Sequence, residues 1–194
     1  VRTRQDLVIR DDQFDFEALL EAALYASRSR IRLSLLDTGR FGLDEVESLA
    51  RAGARVLTSD ESRSRVDDWE ILQEACRDAG THLSVFWNGP LPADEAPSGT
   101  SLQTVKDVLG RGVDFHISDR KHARDAGSLA GLAAAARRGK GFFVFYHIGP
   151  LVAELVEPAK CRAWVHFSDA GIVDEPAALL AAKIARAAAG AGSR

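Results

Sequence analysis

Three histidines and a carboxylate stand at or just after the ends of short apolar runs in the second half of the chain: His116, His147, His166 and Asp169. Imidazoles with a carboxylate are the donor set that a divalent ion such as zinc takes. An ion held there lowers the pKa of its bound water and makes a nucleophile near neutral pH. A divalent metal such as zinc is therefore the expected cofactor, with these four residues as ligands. Acid–base chemistry without a metal is the other reading. For it, the expected proton-transfer groups are His147, Asp169, Asp119 and Asp37, tuned by the crowding of like charges. The run Asp119-Arg120-Lys121-His122-Ala123-Arg124 is a concentrated basic patch, and Arg120 and Lys121 would draw in an anionic substrate. Trp87 and Asn88 are placed to wall its pocket.

Each of these residues has a structural use as well. His116 and His166 occupy matching places in the chain and could serve as hydrogen-bond donors within a core. Ser59-Asp60, Ser118-Asp119 and Ser168-Asp169 read equally well as helix N-caps. Gly149-Pro150-Leu151 reads as the start of a helix with proline in its first turn.

The elements that must position these groups alternate regularly. β-branched or aromatic runs at Asp6–Arg10, Ile31–Leu36, Arg55–Ser59, His82–Trp87, Val113–Ser118, Phe142–His147 and Ala163–Ser168 read as strands. Between and after them, Phe16–Ser27, Leu43–Ala52, Asp67–Ala79, Ser101–Arg111, Ser128–Arg138, Leu151–Pro158 and Pro176–Ala189 have helical period. Glycines close several of the helices, as in Ala52-Gly53 and Arg138-Gly139. Helix after strand throughout predicts parallel strands with right-handed crossovers.

The strand ends repeat. Leu57-Thr58-Ser59-Asp60, His116-Ile117-Ser118-Asp119 and His166-Phe167-Ser168-Asp169 close odd strands, whereas Leu36-Asp37-Thr38-Gly39, Phe86-Trp87-Asn88-Gly89 and Tyr146-His147-Ile148-Gly149 close even ones. This suggests an internal βαβα repeat. Polar residues at alternate strand positions favour a barrel interior over an open sheet covered on both sides. The expected fold is α/β: a small parallel (β/α) barrel of about seven strand–helix units, incompletely closed or seven-stranded. Residues 1–189 are expected to form this single domain and 190–194 a flexible tail. The Pro92–Thr100 insertion, rich in Pro, Gly and acidic residues, reads as a surface loop on the side of the strand ends, where barrel active sites form.

Composition narrows the function. With 46% hydrophobic and 27% charged residues the chain is globular, and a net charge of −3 lacks the basic excess of a nucleic-acid binder. No apolar run approaches the ~20 residues that span a bilayer. Val1–Gln5 has charge without a following apolar run, unlike a secretory signal. Cys76 and Cys161 form no metal or redox motif and read as reduced thiols. The expectation is a cytoplasmic enzyme of hydrolase or lyase type that takes a small polar or anionic substrate at the C-terminal mouth of the strands. It needs neither nucleic acid nor membrane, and a homo-oligomer is compatible with it. The alternative is a non-catalytic scaffold or binding subunit whose mouth residues are caps and core hydrogen bonds.

Overall fold

The computed structural model describes residues 6–93, 100–167, 172 and 174–192. Seven parallel strands alternate with helices: β1 (Asp6–Arg10), α1 (Phe16–Ser29), β2 (Arg32–Leu36), α2 (Leu43–Arg51), β3 (Arg55–Ser59), α3 (Val66–Asp78), β4 (Leu83–Trp87), α4 (Leu102–Leu109), β5 (Asp114–Ser118), α5 (Ala126–Gly139), β6 (Phe143–His147), α6 (Val156–Lys160), β7 (Trp164–Phe167) and α7 (Glu175–Gly192). Residues 190–192, expected in a tail, continue α7. Six of the nine residues Pro92–Thr100, together with Ser168 and Asp169, lie outside the described residues.

The chain falls into two compact units, one ending at Phe86 and one beginning at Trp87. In the first, β1 to β4 pair in parallel in chain order, with Val8 opposite Ser34, Leu35 opposite Val56 and Thr58 opposite Val85. In the second, β5, β6 and β7 do the same, with Ile117 opposite Phe145 and Tyr146 opposite His166. Among the described residues β1 and β7 each have one hydrogen-bonded neighbour, so the sheet is not closed.

Strand side chains alternate between two faces, and burial distinguishes them. In the second unit Phe115, Ile117, Phe143 and Phe145 share one fully buried face, alongside Leu109 of α4 and Leu129 and Leu132 of α5. Each such side chain contributes about 1.5–3 kcal/mol of hydrophobic stabilisation. The opposite face carries His116, Ser118, Val144, Tyr146, Trp164 and His166. It stays largely open, with Tyr146 38% and Trp164 57% exposed. In the first unit Leu33, Leu35, Val56, Leu83 and Val85 form the buried face with Leu49, Trp69 and Leu72 of the helices.

Helix ends depart from the sequence pattern at four places. Asp60 and Asp119 do not cap the helices that follow them. Arg65 stands at the start of α3, and Asp125 caps α5 by accepting from the Ser128 N–H at 2.7 Å. Pro150 does not open a helix either, because α6 begins at Val156 after a turn of 3-10 helix, and Pro158 lies within its first turn, where no N–H is needed. Gly139 belongs to α5 rather than ending it. A β-carbon there would stand 2.4 Å from the Leu109 carbonyl oxygen, so close approach demands the glycine, while Lys140 takes the left-handed conformation at φ 65°.

Candidate functional site

The pleat determines which strand-end residues can meet. In β6, Tyr146 and His147 are neighbours and therefore face opposite sides. Tyr146 stands between His116 and His166 on the open face, with ring centroids 6.1 and 5.2 Å away. His147 lies on the buried side, 5.9 Å from the Phe145 ring. The three imidazoles expected to share one ion are thus divided between two faces. Among the described residues, no group of three or more His, Cys, Asp or Glu is placed to hold a metal. Asp169 falls outside the described residues.

His147 and Asp119 do come together. His147 Nδ1 is 2.5 Å from Asp119 Oδ2, and Asp119 Oδ1 accepts from the Ile148 N–H at 2.8 Å. His147 Nε2 lies 2.9 Å from the Pro150 carbonyl oxygen. The carboxylate and the carbonyl are both acceptors, so each ring nitrogen faces an acceptor of the fold itself. The side chains of the pair are 10% and 14% exposed.

Asp11 in the first unit plays the part that Asp119 plays in the second. It follows β1, is fully buried, and accepts from the Thr38 N–H at 3.1 Å, as Asp119 accepts from Ile148 after the next strand. Asp37 is held more tightly. Its two oxygens take Arg63 Nε at 2.9 Å and Nη2 at 3.0 Å, the Thr58 hydroxyl at 2.7 Å and the Gly39 N–H at 3.0 Å. Burial works against the Arg63 charge, but the hydrogen bond and charge of Asp37 outweigh it and hold the guanidinium above its ordinary pKa. All four bonds to Asp37 come from within the fold, which leaves the carboxylate no free lobe for a ligand. Trp87 is likewise turned inward: its ring lies 6.1 Å from Phe115 and its indole N–H donates to the Gly89 carbonyl at 2.7 Å.

The open face ends differently. Asn88, Ser118, Arg120, Lys121, Tyr146 and Ile148 line a cavity of about 340 Å³ at the C-terminal ends of the strands. That is within the size range of small-molecule sites. Arg120 and Lys121 are exposed, and the Ser118 hydroxyl accepts from the Arg120 N–H at 3.1 Å. The Tyr146 hydroxyl meets His116 Nδ1 at 3.2 Å. Three of the four residues expected to bind substrate, Asn88, Arg120 and Lys121, are therefore gathered in one cavity. Sequence reasoning missed Tyr146. Its signal was parity: it shares alternation with the polar Ser118 and His166 positions, whereas His147 shares it with the apolar ones.

No family model matches this chain, and no curated protein matches it. Among solved structures it is similar to the tetrameric deoxyribose phosphate aldolase from Aeropyrum pernix, at 14% identity over 74% of this chain and 75% of that chain, with a TM-score of 0.38. It is also similar to 3-keto-L-gulonate-6-phosphate decarboxylase from Vibrio cholerae O1 biovar El Tor, at 11% identity over 95% and 99% of the two chains, TM-score 0.40. A third is a dipeptide epimerase from Methylococcus capsulatus complexed with Mg ion, at 10% identity over 84% and 55%, TM-score 0.32. Likenesses this distant assign no substrate and no residue role to this chain.

Proposed function

We propose that the chain is an enzyme of lyase or hydrolase type that acts on a small anionic substrate by acid–base chemistry at the open-face cavity. The observation that carries this reading is the gathering of two cations, an amide and a hydrogen-bonded tyrosine–histidine pair at the strand ends. Arg120 and Lys121 hold the anionic group. Tyr146 gives its hydroxyl proton to a developing oxyanion or leaving group, and His116, across the 3.2 Å contact, resupplies it. His147 and Asp119 serve this arrangement from behind, by fixing the Ile148 end of β6 that borders the cavity. A metal-assisted form would have to find its ligands on the open face, where His116 and His166 lie.

A second reading has two observations in its favour. Both ring nitrogens of His147 are already bonded, and Asp119 repeats the role of the buried Asp11, which suits a binding module whose polar strand ends are structural.

Inorganic phosphate is the first probe. Its titration should move the backbone amide NMR signals of Ser118, Arg120 and Ile148, and Arg120→Gln with Lys121→Gln should weaken that binding at least ~10-fold, about 1.4 kcal/mol. Against a panel of small phosphorylated and carboxylated compounds, Tyr146→Phe should keep the phosphate response and lower turnover by ~10²–10⁴. His147→Ala should instead cost about 1–3 kcal/mol of stability. Phosphate binding indifferent to Arg120 and Lys121 would remove the site. Full turnover in Tyr146→Phe would remove the chemistry.

A further inference from the structure

Another cavity of the second unit lies at the opposite ends of its strands. It measures about 470 Å³ and is lined by Arg137, Lys140, Phe142, Arg162, Trp164 and small residues of α5 and α7. No Asp or Glu lines it among the described residues, and neither the Arg137 nor the Lys140 side chain makes a hydrogen bond or ion pair there. Phe142 and Trp164 are 54% and 57% exposed, with ring centroids 5.4 Å apart in an edge-on arrangement. Large aromatics left this open beside cations are the components of a site for a charged ring.

Two features set this place apart from an ordinary helix end. Lys140 and Arg162 both hold the left-handed backbone conformation, at φ 65° and 67°, where a β-carbon is strained. Among the described residues Arg30 after α1 does the same at φ 58°, whereas after α2, α3 and α4 the conformation falls to Gly53, Gly80 and Gly112. The charges also exceed what the helix ends require. The C-terminal end of α5 carries about half a negative charge at most, against the two cations Arg137 and Lys140 beside it.

We propose that this cavity binds a planar aromatic ring bearing a phosphate, the chemistry of a nucleoside monophosphate. The ring lies against Trp164 and Phe142, and Arg137, Lys140 and Arg162 take the phosphate. The site is separate from the one at the C-terminal strand ends, so either can fail without the other.

Tryptophan fluorescence reads it directly. Of the three tryptophans, Trp69 and Trp87 are buried at 1% and 8% exposure, which leaves Trp164 as the accessible one. AMP is the probe, with adenosine and inorganic phosphate as its parts. Saturable quenching by AMP is expected, with adenosine and phosphate each binding at least ~10-fold more weakly. Lys140→Gly removes a cation and relieves the strained backbone together, so it should raise the melting temperature while weakening AMP at least several-fold. It should leave the phosphate response at Ser118, Arg120 and Ile148 unchanged. Absence of saturable quenching by millimolar AMP, or AMP binding unaffected in a stabilised Lys140→Gly, would overturn the proposal and leave these cations as helix caps. Adenosine binding as tightly as AMP, or an oligoadenylate binding far more tightly than AMP, would overturn it too.

Discussion

Asp37 and Arg63 show how a carboxylate that looks chemical from its position becomes structural through its partners. The pair is almost fully buried, with two-pronged geometry and two further donors on the carboxylate. Such a pair is not in itself a large source of stability, because desolvation of both charges offsets their attraction. Removing one partner is another matter, since the remaining charge is then buried alone. Arg63→Leu should cost about 3–5 kcal/mol in urea unfolding. A loss under about 1 kcal/mol would mean that water reaches Asp37 and that the carboxylate is open to a ligand after all. Asp37 stood out in the sequence because it ends an apolar strand run. Its partner Arg63 lies 26 residues further on in a loop, and nothing in the local pattern signals that the two meet.

At the scale of the elements, the strands were legible to within about a residue, because β-branched alternation between glycine and helix signals marks them clearly. Less legible was which aspartate begins a helix. Ser118-Asp119 and Asp125 are both good caps by type, but the connection between β5 and α5 is long enough to hold a further turn, and the helix begins only at Ala126. Asp119 is thereby freed to bind β6. The Ser128 backbone N–H, followed by its hydroxyl, draws the Asp125 carboxyl below its ordinary pKa. A lowered carboxylate stabilises the fold above its unfolded pKa, near 4, and that contribution is lost as pH falls through the folded value. Asp125→Ala should therefore lose about 0.5–2 kcal/mol at pH 7, and less at the lowest pH where both proteins stay folded. A gap that widens on acidification would contradict the capping role. Parity was the other difficulty: placing the strand ends within a residue is not enough when one residue exchanges the faces. It moved the expected chemistry from Tyr146 to His147.

For the molecule as a whole, the strand–helix order was legible and the closure of the sheet was not, because closure depends on strand tilt and stagger that a linear pattern does not carry. The open sheet has consequences at β1 and β7. In a parallel sheet, alternate N–H groups of an edge strand point away from the only neighbour and toward water. β1 is five residues long with Leu7 and Val8 exposed, and β7 four residues long with Trp164 exposed. Short length and the charges of Asp6 and Arg10 at the ends of β1 limit its tendency to pair with other chains. Local opening should therefore be graded across each unit: amides of β2 and β3 slower to exchange than those of β1, and amides of β5 and β6 slower than those of β7. Hydrogen–deuterium exchange read by mass spectrometry at low protein concentration measures this. The edge strands should exchange at least ~10-fold faster than their inner neighbours. Equal protection of β1 and β2 would mean that something covers the edge, and dilution separates the two ways this can happen. Protection that fades on dilution belongs to a second copy of the chain, which would make the protein a homo-oligomer joined through its sheet. Protection that persists belongs to the same chain, and the sheet would then be closed in solution.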